Sequence, residues 1–314
     1  MTVKDFVENI PIPVCGLALG LASLDKYLSQ TYDGYEYGIF AIISTILAIL
    51  FLLKMTVGRK AFVKDLDSPV LFGVLPTFPM TVMILSTYVI DFSEIVAKTL
   101  WFVSLMSMFA MMFLFLRKFL IGFNIKNVFP SWFVMFIGCV VTSVTSVTMG
   151  FQDLGKAVFI FGLVAYAILL PLILYRVLIK KGIPEQAMPN LAIFTAPPNL
   201  LLVGYLAAFG TEANETVVTL WAIFGIISYF AVLAYLPFMM KRRFYPSYGA
   251  FSFPLVISMM SINSVGSFFD LSGGLYGILE TASEVIAVAM VVYVLLRYII
   301  FFAATLTKNS DASV

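Results

Sequence analysis

The sequence predicts an all-α integral membrane protein of ten transmembrane helices. Three observations predict it: too little charge for a water-facing coat, ten apolar stretches of spanning length, and loop charges gathered on one side. The chain of 314 residues is 61% hydrophobic and 11% charged. Soluble domains run at about 45–50% apolar and about 25% charged. A chain this apolar needs lipid as its solvent.

A helix spans a bilayer with about 20 apolar residues. Such stretches fall at 11–29, 37–54, 69–90, 98–116, 129–149, 155–176, 189–209, 216–239, 247–269 and 274–303. The gaps between them are short, so residues 1–314 read as one transmembrane domain. Residues 1–9 are short and polar and carry no cleavable leader, so the first helix itself is expected to direct insertion. Of nineteen Lys and Arg, sixteen fall on the side of the N-terminus. Only Lys26, Lys98 and Lys156 fall on the other. The positive-inside rule then places both termini in the cytoplasm.

The odd-numbered spans begin alike. Each has a proline at its start: Pro13, Pro69, Pro130, Pro189 and Pro246. Proline is easily accommodated in a first turn, where its missing N–H has no helical partner. The unit between successive prolines holds two spans, so the chain reads as five helical hairpins repeated in parallel. Each odd span also carries a Gly or Pro seven or eight residues further on: Gly20, Pro76, Gly138, Pro197 and Pro254. Such residues interrupt the helical ladder and permit bends. The second and fourth spans have no proline. The economical arrangement is an inner ring of five bent odd helices around a pore, with five straighter even helices outside. An inverted repeat of the secondary-transporter kind would put an odd number of spans in each half, which a two-span unit argues against.

Four of the odd spans carry no charged residue between their start proline and their far end. The pathway is therefore expected to be walled by apolar and weakly polar groups. Its polar candidates are Thr77, Thr81, Thr142, Ser143, Thr145, Ser146, Thr148, Thr195, Asn199, Ser252 and Ser258. Taken together, hydroxyls and amides solvate an anion without trapping it, and conduction needs that weakness. Taken one by one, the same residues also serve helix packing. Glu280 and Glu284, one turn apart in the tenth span, read either as a proton site or as a packing pair. Lys241, Arg242 and Arg243 before the ninth span can draw anions to the cytoplasmic mouth, or simply set topology.

Catalytic groups are scarce. There is no histidine, and the two cysteines, Cys15 and Cys139, are far apart in apolar runs. No zinc spacing, nucleophile triad or phosphate-binding glycine loop can be assembled. An enzyme is not expected, nor a cofactor or metal. A net charge of +2 suggests neither nucleic acid nor an acidic partner.

The motifs GLALGL at 16–21, TAPP at 195–198 and FSFP at 251–254 carry a resemblance. In their order and placement the chain resembles the tellurite-resistance/dicarboxylate transporter family, which includes bacterial TehA-type proteins and the plant guard-cell slow anion channel. The resemblance covers nearly the whole chain and departs at Ala18, where the family often has proline. It implies a homotrimer in the inner (plasma) membrane, with a pore in each protomer and small inorganic anions as cargo. It also implies an aromatic plug, which falls on Phe253. That residue lies seven past Pro246 and beside Pro254, at the expected bend. The expected lining is Gly16, Gly20, Pro76, Gly138, Thr142, Pro197, Ser252 and Pro254, with Gly16 and Gly20 giving the plug its space. A channel for chloride or nitrate is the first reading. A proton-coupled carrier of dicarboxylate, sulfite or tellurite-type oxyanions is the second, and a non-transporting receptor or scaffold the third.

Overall fold

The computed structural model describes residues 3–35, 38–241, 243–271 and 273–308. Arg242 and the expected start of the second span, at 37, lie outside the described residues. Among those described there are helices and turns and no strand. Among the described residues nine helical segments are long and apolar enough to cross a membrane. A further helix, α2 (Val14–Thr31), answers to the first expected span but carries Ser23, Asp25, Lys26 and Gln30 in its second half. Those polar groups keep it out of that set, although thirteen of its 18 residues are buried. It is preceded by the short α1 (Val3–Glu8).

The inner elements are α2; α5 (Pro69–Val74) with α6 (Thr77–Val89); α8 (Ser131–Ile137) with α9 (Val141–Met149); α11 (Ala196–Phe209); and α13 (Ser252–Phe269). They close on themselves: α2 packs on α6, α6 on α9, α9 on α11, α11 on α13, and α13 back on α2. Outside them lie α3 (Ile39–Thr56), α7 (Glu94–Phe119), α10 (Gln152–Leu174), α12 (Glu215–Met240) and α14 (Gly274–Lys308). Each outer helix follows its inner partner in a hairpin and also touches the next inner element, so it covers a seam. The short α4 (Arg59–Asp65) links the first hairpin to the second.

Burial separates the two rings. The inner spans after α2 are 72–78% buried and the outer ones 28–33%. On α3 the side chains Ile39, Ile42, Ile46, Ile49 and Leu53 form an exposed apolar stripe at helical spacing. Facing water, such a surface would drive aggregation; facing lipid tails, it is solvated.

The inner elements change character along their length. Pro76 ends the α5 segment, and α6 resumes at Thr77. Gly138 opens a 3-10 turn, Gly138–Val140, between α8 and α9. Before α11 the chain runs as 3-10 helix from Glu185 to Thr195, and before α13 from Pro246 to Phe251. Runs of 3-10 helix beyond three or four residues are uncommon. One expectation is corrected here. Gly20 does not interrupt its span, because α2 runs unbroken from Val14 to Thr31. A glycine permits a bend but does not force one, since its N–H still joins the helical ladder.

Ser68 and Ser93 cap α5 and α7 by accepting from the backbone N–H three residues on, and Asn214 does the same for α12. The ends with the start prolines are called the proline end below, and the opposite ends the far end.

Candidate functional site

Four cavities follow one another along the ring. A vestibule of about 570 Å³ opens at the proline end, bordered by Asn9, Lys54, Ser68, Lys126 and Pro246. It shares Pro13, Val74 and Asn190 with an inner chamber of about 40 Å³. Beyond that lies an outer chamber of about 80 Å³, which shares Gln30, Val144 and Met260 with a far-end vestibule of about 610 Å³. One water occupies roughly 10–15 Å³ on this measure, so each chamber holds only a few waters. The two chambers have two lining residues in common, Leu200 and Phe253. These side chains stand at the join.

Phe253 owes its place to local backbone. The 3-10 run ends at Phe251, α13 starts at Ser252, and Pro254 in the first turn needs no N–H partner. Glycines bring this stretch against α2. A Cβ on Gly16 would lie 3.0 Å from the Gly249 oxygen, and one on Gly249 would lie 2.2 Å from the Pro13 oxygen. A Cβ on Gly20 would lie 2.4 Å from the Ser252 Cβ and 3.0 Å from the Phe253 nitrogen. The closest approach to Gly16 and Gly20 is thus made by residues 249–253, through their backbone and the Ser252 Cβ. Phe253 is 7% exposed and makes no ring–ring contact among the described residues. Its neighbour Phe251 packs on Tyr248 with centroids 4.9 Å apart.

The expected lining residues divide into two groups. Gly16, Gly138, Pro197, Phe253 and Pro254 border the inner chamber. Gly20, Pro76, Thr142 and Ser252 do not border either chamber. Pro76 acts through the break it makes. Thr142 lies against Met83 of α6, with its Oγ1 3.5 Å from the sulfur. The Ser252 Oγ is buried and has no hydrogen-bond partner.

Most of the hydroxyls expected to solvate an anion are engaged elsewhere. Thr77 donates to the Val74 oxygen at 2.7 Å, Thr81 to Thr77 at 2.7 Å, and Ser258 to Pro254 at 2.7 Å. Thr145 donates to the Val141 oxygen at 2.9 Å and accepts from Trp101 Nε1 at 2.7 Å. Thr195, Asn199 and Ser258 form a buried cluster joining α11 to α13, with the Asn199 amide 3.1 Å from the Ser258 Oγ. Back-bonding of this kind is the usual fate of Ser and Thr within helices. It turns oxygen lone pairs outward, which is the wrong polarity for an anion.

Two nitrogen donors on the pathway were missed by the sequence reading. Asn190, 2% exposed, lies between the proline-end vestibule and the inner chamber, and its Nδ2 has no protein partner. Lys26, half-buried, borders the outer chamber with Ser23 and Gln30. The signal for Lys26 was its spacing, three beyond Ser23 and four before Gln30, on the inner face of an inner helix.

Glu280 and Glu284 lie off the pathway, bordering neither chamber nor the far-end vestibule. Glu284 accepts from Tyr32 at 2.6 Å and Tyr27 at 3.4 Å, tying α14 to the end of α2. Glu280 lies against Gly266 of α13, where a Cβ would come within 2.1 Å of its Oε1. At the proline end, Arg243 donates from Nε to the Tyr245 hydroxyl at 2.7 Å. That bond helps hold the Arg243 pKa above its ordinary value. Among the described residues no group of three His, Cys, Asp or Glu side chains is placed to hold a metal ion.

Known proteins share this pattern. The sequence is 24% identical over 265 residues, 80% of each chain, to the tellurite resistance protein TehA homolog of Haemophilus influenzae. Residues 13–299 match the family described as voltage-dependent anion channel, a stretch that takes in every helix of both rings except the C-terminal end of α14. With its lipid-facing outer helices and its broken inner ring, the chain is a multi-pass membrane protein that belongs to this family of anion transporters and channels.

Proposed function

We propose that the chain is a channel for small monovalent anions such as chloride and nitrate, with a pore inside each protomer closed by Phe253. One observation carries this reading: Phe253 and Leu200 form the common wall between two chambers that lie in series along a closed ring of five helices. An apolar constriction between chambers of a few waters each stops ions by excluding water. In this reading both termini are cytoplasmic, the proline end faces the cytoplasm, the membrane is the inner (plasma) membrane, and three protomers assemble.

The test is anion flux from proteoliposomes, wild type against Phe253→Ala, at two pH values. The variant should raise flux strongly, with a driving force set by the anion gradient alone. Unchanged flux in a folded variant would remove the plug. The name of the Haemophilus relative keeps a coupled oxyanion carrier in view. Flux that follows the pH gradient would favour that carrier over a channel.

A further inference from the structure

We infer that Lys26 makes the outer chamber a resting site for one small inorganic anion and sets the charge preference of the pathway. The inference deepens the anion-channel reading and rests on it. Among the described residues Lys26 is the one charged side chain lining the inner chamber, the outer chamber and the far-end vestibule. In so small and apolar a space a single cation dominates the field, because little water is present to screen it.

The two carboxylates that interact electrostatically with Lys26, Asp25 and Asp91, both stay off the chamber lining. Asp25, next in sequence, is fully buried and borders neither chamber. Its two oxygens accept from Tyr35 at 2.9 Å and Tyr88 at 2.8 Å, beside Gly38 at the start of the outer helix α3. Neighbouring residues on a helix point about 100° apart, so one side chain can turn outward while the next faces the pore. Among the described residues no Asp or Glu forms an ion pair with Lys26. Its ammonium lies over the Tyr88 ring, 4.8 Å from the centroid. A ring face attracts the ammonium from one side only and leaves N–H groups on its other side to meet a ligand.

The rest of the chamber favours Lys26 as the ligand group. Ser23, Thr87 and Thr145 line the chamber with their hydroxyl protons already given to the carbonyls of Leu19, Ile84 and Val141. The donors left are the Lys26 ammonium and the Gln30 amide, on one face of α2, and the Thr148 hydroxyl opposite; of these only Lys26 carries charge. The chamber, at about 80 Å³, admits an ion with a few waters. A compact monovalent anion suits it, since one lysine balances one charge.

The experiment uses the full chain in planar bilayers, with Phe253→Ala as the open parent. Against it stand Lys26→Arg and Lys26→Gln in the same background. Loss of the cation should lower anion conductance about tenfold and move the reversal potential toward the cation value, as field focusing by one pore charge implies. Lys26→Arg should keep both. Conductance and reversal potential unchanged in Lys26→Gln would overturn the site while leaving the channel reading intact. A parent that passes no anions would instead overturn the channel reading. If the variants fail to fold, wild-type crystals soaked in bromide decide. An anomalous peak against Lys26 Nζ supports the site, and an outer chamber without one overturns it.

Discussion

On the proline side of Phe253 four of the five inner elements are 3-10 runs or broken helices, α2 being the unbroken one; on the far side the ring is made of regular α-helix. The breaks at Pro76, at Gly138, at the junction of Thr195 with Ala196 and at the junction of Phe251 with Ser252 all fall near the level of the inner chamber. Irregular backbone inside a membrane is tolerated where protein or a cavity surrounds it, and this chamber is such a place. The inner chamber has no charged lining residue, whereas the outer chamber has Lys26. The comparison teaches that backbone freedom and charge occupy different levels of the pathway. Movement of the proposed plug would draw on the broken half, and preference for anions on the regular half.

The strongest way to break this comparison is to remove the plug. Phe253→Ala should raise anion flux on the order of tenfold or more, since each 1.4 kcal/mol taken from a barrier is about a factor of ten. If the closure lies elsewhere in the broken half, flux will stay at the wild-type level. Next comes charge in the wrong chamber. Asn190→Asp puts a carboxyl at the mouth of the inner chamber. At about 4 Å a carboxylate repels an anion by roughly 1–4 kcal/mol between water-like and protein-surface dielectric, so flux should fall about tenfold. Burial raises a carboxyl pKa, so the block should deepen as pH rises and ease as it falls. A block independent of pH, measured in the Phe253→Ala background, would mean that the change acts through shape and not charge.

The third test concerns the seam that holds the plug's backbone. Gly20→Ala sets a Cβ 2.4 Å from the Ser252 Cβ, and neither atom lies at the end of a flexible chain. Overpacking of this sort costs about 1–3 kcal/mol, readable as lower thermal stability in detergent. Gly277 is the matched control, because a Cβ there meets nothing within 4 Å. Gly277→Ala should be neutral or stabilising by up to about 1 kcal/mol, as alanine is the better helix former. Equal effects at the two positions would show that the contact between α2 and α13 carries no special constraint.

The two levels were not equally legible in the sequence. Pro76, Pro197 and Pro254 announce irregular backbone by themselves, because a missing N–H acts locally whatever surrounds it. The hairpin repeat was legible for the same reason, through prolines at near-equal spacing. Gly20 was read as an interruption and serves close approach instead, because a glycine can do either and only the partner helix decides. The hydroxyls left two readings open because a serine within a helix can donate to its own turn as readily as to a ligand. Lys26 was counted only for topology. Its meaning depends on Asp25 turning outward to two tyrosines, one from the following loop and one from α6, and no local pattern encodes that.

The smallest expected effect concerns the carboxylates of α14. In the proposed channel Glu284 is a tie between helices, because it accepts from Tyr32 and Tyr27 and borders neither chamber. Glu284→Gln keeps an acceptor for one tyrosine and removes the charge from the bond. The cost should be about 0.5–1.5 kcal/mol of stability, the usual worth of one net hydrogen bond. Anion flux at two pH values should match the parent. In a proton-coupled carrier the same substitution would remove the group that carries the proton, and uptake driven by a pH gradient would vanish while stability changed little. Measuring flux and stability on one preparation therefore separates the two roles: a modest loss of stability with intact flux keeps Glu284 as a tie, and the reverse pattern makes the far-end half a proton path.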